Sequence, residues 1–593
     1  MCADVPLGMV TTKDDFYESL TLKSQSADSE VLDDYTMLSG KRRHCTNQAR
    51  QRTYTFANEK GRALDVTVRT YDDGVAFRYS VAAPQEGEMV TEEMTCFNIE
   101  DGKKRWMQPF QQSYEAFYPM TTGRGNEAGK GRWGFPALVQ WSDQHFMLVT
   151  EANIQHGNCG ASMLAKNPTA AGNCSYQVRL DGRYEADKLS PWRIMIVGTL
   201  ADIVESTLVT DVSEPSDISN TSWIRPAPAS WVYWAYNHGS KDYAICKQFV
   251  DLAADMHWPY CLIDWEWDRM TGEGDIDDLI AYAKERGVKI FLWYNSSTSW
   301  VGPNGPNPMY RLNTPGNRKA EFQWLKEKGI DGIKIDFFKD DSSTSMNYYL
   351  DLLGDAAGQQ MLITFHGATV PRGWQRTYPN LMTTEAVYGA EWYNNAPVLT
   401  DKAACHNATL PFTRNVVGSM DYTPGTFSDT QHKHITTHGH ELALYVLFES
   451  AIQHMPDRRD VYLALPEEVR LLLSSLPTVW DDTRLIDGFP GHHAVMARQK
   501  GDVWYVAGIN GTDAPLELAF SLKRLGLKKA RITCFADGDY DHEFNIYTPK
   551  WSAKQKIAIR ARGGFLLKIE NGKADTPANA PREARNIFDK LNH

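Results

Sequence analysis

From Pro226 to Leu476, short apolar runs and amphipathic helical stripes alternate in a fixed order, and no other feature of the chain limits its fold as strongly. Trp231–Ala235 reads as a strand, after which Tyr243, Cys246, Phe249, Val250 and Ala253 fall on one helical face. Tyr260–Asp264 is the next strand. Ile276, Leu279, Ile280 and Ala283 form a second helical stripe, closed by Gly287 as a C-cap. Strand Lys289–Tyr294 follows, then a helix around Phe322–Leu325 that ends at Gly329. Strands Gly332–Phe337, Met361–His366 and Leu381–Glu385 continue the series. Repeated strand-then-helix units build a parallel sheet, and about eight of them close it into a barrel. The expected centre of the molecule is therefore a (β/α)8 TIM barrel.

At 593 residues the chain exceeds one ordinary domain, and the pattern changes on both sides of the barrel. Leu64, Val66 and Val68 alternate with polar residues, Asp73-Gly74 makes a turn, and Val75, Phe77, Tyr79 and Val81 alternate again, which predicts a hairpin with one buried face. Similar strands recur at Phe146–Val149 and Tyr176–Leu180. After Leu476 hairpins return, with Ala494–Arg498 and Val503–Ile509 flanking Lys500-Gly501-Asp502. The predicted division is an N-terminal β-super-sandwich over 1–222, the barrel over 223–479, a C-terminal β-sandwich domain over 480–570 and a loosely held tail over 571–593.

Composition removes several functional classes. A net charge of −12 argues against nucleic acid or an anionic membrane as the main partner. No stretch approaches eighteen consecutive apolar residues, so no membrane span is expected, and Met1–Asp15 shows no signal-peptide pattern. The nine cysteines lack metal-ligand spacing; Cys159 and Cys174 could bridge a loop in an oxidising compartment, or stay as free thiols. Eighteen Trp and 27 Tyr supply flat amphipathic faces that suit sugar rings, although most such residues fill cores.

Active sites of such barrels lie at the C-terminal ends of the strands. Here those ends carry Asp264-Trp265-Glu266-Trp267, Asn295, Lys334-Ile335-Asp336, His366-Gly367, Glu385 with Glu391, and Asp421-Tyr422. Acids and aromatics dominate, with no phosphate loop, no activated Ser or Cys, and no zinc set. Cleaving a glycosidic bond needs one carboxylic acid to protonate the leaving oxygen and one carboxylate to attack or to activate water. Asp336 and the pair Glu385/Glu391 could face each other across a bound sugar. The competing reading makes these acids caps or ion-pair partners. It is weaker for Asp336, because Ile335, Phe337 and Phe338 bury its strand and an acid there must be paired or functional.

The stretches Gly332–Phe338, Phe365-His-Gly367, Arg376–Asn380, Glu385–Glu391, Pro411–Arg414, Met420–Gly425 and Pro477–Asp481 together resemble glycoside hydrolase family 97, in one order, from about residue 50 to about 560. The resemblance implies the same three-domain plan. Inverting α-glucosidases of that family carry a base glutamate right after the fifth-strand histidine, where this chain has Gly367, and lack an acid at the position of Asp336. Retaining α-galactosidase-like members have the pattern seen here, which implies Asp336 as nucleophile and Glu391 as general acid/base.

The resemblance also implies Ca2+, held by an N-terminal-domain glutamate matched to Glu151, with Glu385 and Glu391; the alternative for Glu151 is an interdomain salt bridge. Asp264, Trp265, Glu266, Lys334 and His366 are the candidate substrate contacts, with a core role open for Trp265, Trp293 and His366 and an ion-pair role for Lys334. The expected partner is an oligosaccharide or glycoside, with subunit association through the C-terminal domain and, by resemblance, a periplasmic or secreted setting. An α-glucosidase, a β-L-arabinopyranosidase and a non-catalytic carbohydrate-binding barrel are the competing readings; intact Asp336 and Glu391 speak against the last.

Overall fold

The computed structural model describes residues 6–125, 131–166, 174–298, 304–572 and 582–585. Its centre is the expected parallel barrel. Seven strands pair side by side in chain order: Ala227–Trp231, Tyr260–Ile263, Lys289–Asn295, Gly332–Asp336, Leu362–Phe365 and Leu381–Thr384, with Ile452–Met455 returning beside the first. A parallel bridge from Thr384 to Met420 marks the remaining place in the ring. Nearly every residue of these strands is buried, as parallel strands covered on both faces must be.

The first strand departs from expectation. It spans Ala227–Trp231 rather than Trp231–Ala235, and Pro228 sits opposite Gln453 within it. A proline donates no amide to a ladder, so the Pro-Ala-Pro run reads as linker although it is strand. Tyr233–His238 is instead the turn-rich loop that follows.

The N-terminal region forms a 13-stranded antiparallel sheet and a 4-stranded one. The predicted hairpin is present, with Ala63–Tyr71 paired to Gly74–Val81. Cys174 bonds Cys96, not Cys159, because the strand after it, Tyr176–Leu180, pairs with Cys96–Phe97. Cys159 remains a buried free thiol. The C-terminal domain, Asp482–Asn571, contributes most of a 7-stranded antiparallel sheet and a separate 2-stranded one. The tail expected to be loose supplies that sheet's edge strand, Arg582–Arg585, against Glu543–Tyr547. No helix among the described residues is long and apolar enough to cross a membrane.

A buried ionic network joins the sandwich to the barrel. Arg193 pairs with Glu93 at 2.6 Å and also with Glu151. Arg372, in the loop after the fifth barrel strand, donates to Glu151 at 2.7 Å and to Asp341 at 2.5 Å. All five side chains are almost fully enclosed, so each charge depends on its partners for stabilisation.

Candidate active site

The C-terminal mouth of the barrel holds a cavity of about 200 Å3. Asp264, Lys334, Asp336, Glu385 and Glu391 line it, with Tyr233, Trp265 and Trp392 as aromatic walls. Five of the nine residues singled out from the sequence thus meet as charged groups in one place, and Trp265 joins them as a wall.

Asp336 closes the fourth strand. Its Oδ2 accepts from Trp293 Nε1 at 3.1 Å and its Oδ1 from the Phe337 amide at 2.7 Å. Burial lifts this carboxyl above the usual range, while Lys334 and His366 pull it back down. Glu391 sits on the short helix Ala390–Tyr393 after the sixth strand. Burial and then the charge of Glu385 hold its carboxyl well above the usual range. The shift favours the protonated form of Glu391, the direction a general acid uses.

Lys334 lies two residues before Asp336 and therefore points to the same strand face. It pairs with Asp264 Oδ2 at 3.2 Å, and Trp231 Nε1 donates to the same oxygen at 2.7 Å. Burial opposes the Lys334 charge, but Asp264 and Asp336 keep its pKa above the ordinary value. Lys334 and Asp264 thus form a fixed donor–acceptor pair at the base of the cavity, suited to neighbouring sugar hydroxyls.

Two expected contacts lie elsewhere. His366 is buried behind the cavity, donating to Asp421 at 2.6 Å with Glu385 3.4 Å from its other nitrogen. Burial works against its charge, yet Glu385 and Asp421 raise its pKa well above the usual value. Burial of Glu385 is offset by the charge of His366, which lowers that carboxyl's pKa. Glu266 takes a left-handed backbone (φ +66°), which turns its side chain away toward His238 at 2.6 Å and Lys241 at 3.1 Å. It lines a neighbouring surface pocket that shares Trp265 with the catalytic cavity.

Glu151 requires correction. Its two oxygens are occupied by Arg372, Arg193 and the Ala161 amide, so it is an interdomain ion-pair partner and not a ligand of the site. The N-terminal-domain glutamate at the barrel mouth is Glu115, a residue outside the strand-end pattern. Its Oε1 accepts from Trp392 Nε1 at 2.8 Å. Burial and then Glu385 push the Glu115 carboxyl up to about 8. The signal in the sequence was an acid inside the aromatic run Tyr114-Glu-Ala-Phe-Tyr118, where a plain surface loop would carry no such rings.

Three glutamates crowd one cavity, and Glu385, Glu391 and His366 bring ligand-type atoms within 4.8 Å of one another. Crowded carboxylate oxygens are hard donors that suit Ca2+. His366, Glu385 and Glu391 meet the spacing of a shared ligand set, and Glu115 lines the same cavity.

Three family descriptions cover the chain in sequence: Glycosyl-hydrolase 97 N-terminal over 1–215, Glycoside hydrolase 97 over 227–387, and Glycosyl-hydrolase 97 C-terminal, oligomerisation, over 479–570. A probable retaining alpha-galactosidase of Streptomyces bingchenggensis is 33% identical over 521 residues, covering 85% of this chain and 77% of that protein. A retaining alpha-galactosidase of Bacteroides thetaiotaomicron is 27% identical over 572 residues, covering 85% and 83%. The crystal structure of a beta-arabinopyranosidase superposes with a TM-score of 0.89 at 29% identity, covering 96% of this chain and 94% of that one. A family 97 enzyme of Pseudoalteromonas shares the fold at a TM-score of 0.84 and 21% identity, over 96% and 94%. With three successive domain matches and a relative at this level of identity, the chain belongs to glycoside hydrolase family 97.

Proposed function

We propose that this protein is an exo-acting, retaining α-D-galactosidase that works through a covalent glycosyl-Asp336 intermediate. The observation that carries the reading is the pairing of Asp336 with Glu391 in one cavity, their environments differing in the direction chemistry needs. Asp336 attacks the anomeric carbon while Glu391 gives its proton to the departing oxygen. Glu391 then takes a proton from water, the water oxygen attacks the same carbon, and Asp336 leaves. Two inversions return the α-anomer. Gly367, where inverting relatives hold their base, leaves no carboxylate at that position to direct water from the opposite face.

Lys334 and Asp264 hold the sugar's hydroxyls in this reading, and Trp265 walls the ring. Ca2+ bound by Glu115, Glu385 and Glu391 would neutralise their mutual repulsion and polarise the site. The two named relatives, a probable retaining alpha-galactosidase at 33% identity and a retaining alpha-galactosidase at 27%, support galactose as the sugar. The beta-arabinopyranosidase neighbour favours a second reading, a β-L-arabinopyranosidase, since arabinopyranose is galactose without its hydroxymethyl arm. The Cys96–Cys174 bond supports an oxidising, periplasmic or secreted setting, and the matched C-terminal domain supports self-association.

The deciding experiment is proton NMR of the first product formed from nitrophenyl α-galactoside, run beside the α-glucoside and β-L-arabinopyranoside. α-Galactose appearing first, with the α-glucoside much poorer, is expected. A β-anomer appearing first would remove Asp336 as nucleophile, and a faster α-glucoside or arabinopyranoside would replace the sugar. Asp336→Gly should be nearly inactive and partly rescued by azide.

A further inference from the structure

We infer that Tyr114 is a positioning residue for the general acid, acting through Glu115 and Trp392. This rests on the reading of Glu391 as that acid.

Tyr114 is fully buried and takes a left-handed backbone, φ +58°, an uncommon state for a bulky side chain that surrounding contacts must hold in place. Those contacts come from the barrel. Its hydroxyl donates to Asp341 Oδ2 at 2.5 Å, and Arg372 Nη2 donates to the same hydroxyl at 3.0 Å. Arg372 is itself fixed by Glu151, and Glu151 by Arg193. The end of this enclosed network therefore grips a single phenol on an N-terminal-domain loop.

The next residue is Glu115. With Tyr114 anchored outward to Asp341, Glu115 projects into the catalytic cavity and accepts from Trp392 Nε1 at 2.8 Å. Trp392 directly follows Glu391 on the short helix Ala390–Tyr393, and its ring stacks on Tyr388 at 5.0 Å. A continuous path of named contacts thus runs from Arg372 and Asp341 through Tyr114, Glu115 and Trp392 to Glu391. Removing the phenol oxygen leaves Arg372 and Asp341 paired to each other but frees the loop to shift. The acid, not the nucleophile, lies at the far end.

That asymmetry gives a readout that loss of packing would not imitate. A leaving group of high pKa needs the proton from Glu391, whereas dinitrophenolate departs with little assistance. Tyr114→Phe should lower kcat/KM for methyl α-galactoside about tenfold or more, while dinitrophenyl α-galactoside changes by less than about threefold. Tyr118→Phe is the control. Its hydroxyl is buried in the same loop region and has no hydrogen-bond partner among the described residues, so neither substrate should respond. Should Tyr114→Phe fail to fold by circular dichroism, Asp341→Asn, which keeps the ring and weakens its anchor, takes its place with the same expected selectivity. Equal losses on both substrates, or none on either, overturn the inference alone. A wild-type chain that cleaves neither glycoside overturns the functional reading and this inference with it.

Discussion

Gly367 stands so close to Asp336 that a Cβ at position 367 would lie 2.7 Å from the carboxylate Oδ1. The same glycine has φ +47° and donates its amide to Glu385 Oε2 at 2.7 Å. It therefore sets the spacing between the proposed nucleophile and the neighbouring glutamate. Gly367→Ala should keep its fold by circular dichroism and lose kcat by about a hundredfold, since small misplacements of reacting groups carry penalties of that size. Wild-type turnover in the alanine variant would show that the approach is not needed.

Calcium dependence should follow Glu115 and not Glu151. Exhaustive chelation is expected to lower activity and added Ca2+ to restore it. Glu115→Gln should weaken calcium binding in titration calorimetry by roughly ten- to a hundredfold, since it removes a carboxyl that an ion in the cavity would draw on. Glu151→Gln should leave that affinity nearly unchanged. The opposite ranking would return the ligand role to Glu151.

The interdomain ion pairs should matter to stability in proportion to their enclosure. Arg372→Met leaves buried Asp341 without its cation and Glu151 with Arg193 alone, and breaking a buried pair of this kind costs about 3–5 kcal/mol. Denaturant unfolding followed by tryptophan fluorescence would measure it. A change below about 1 kcal/mol would place the pair with weak surface bridges.

Acid should destabilise the protein well before its carboxylates are all protonated. Burial pushes the imidazole of His406 down to about 4, and those of His438 and His440 down to about 3, from a usual value of 6.5. In the unfolded chain these rings take up protons near pH 6.5, whereas the folded protein holds them neutral. Below that pH the unfolded state binds more protons, so stability is complete above about 6.5 and falls as pH approaches the folded values. His406 alone corresponds to roughly 3 kcal/mol by pH 4, at about 1.36 kcal/mol per unit. Melting temperatures between pH 7 and pH 4 should drop less steeply in His406→Gln. Parallel curves would contradict the assignment.

Much of the barrel was legible because strands buried on both faces read as apolar runs, and Tyr260–Ile263 or Leu362–Phe365 could scarcely be anything else. Asp336 was legible for the same reason: an acid at the end of such a run demands an explanation. The first strand was not, since Ala227–Trp231 contains a proline and no branched aliphatic residue. Glu151 and Glu115 illustrate a different obstacle. Both are buried glutamates of the N-terminal domain, and only long-range contacts decide that one meets two arginines and the other meets Trp392. The partner of Cys174 was hidden likewise, 78 residues away in sequence but 5.6 Å between Cα atoms.

Glu115 belongs to the part of the chain that is synthesised first, yet it faces groups on strands made some two hundred residues later. No nascent fragment can therefore carry a finished sugar pocket. The sandwich emerges before the barrel that gives its glutamate a purpose, and the barrel closes with one wall supplied from outside itself. Removing the first domain would take one wall of the cavity with it. Recombination could exchange the pair together, but swapping either half would have to rebuild the seam between them.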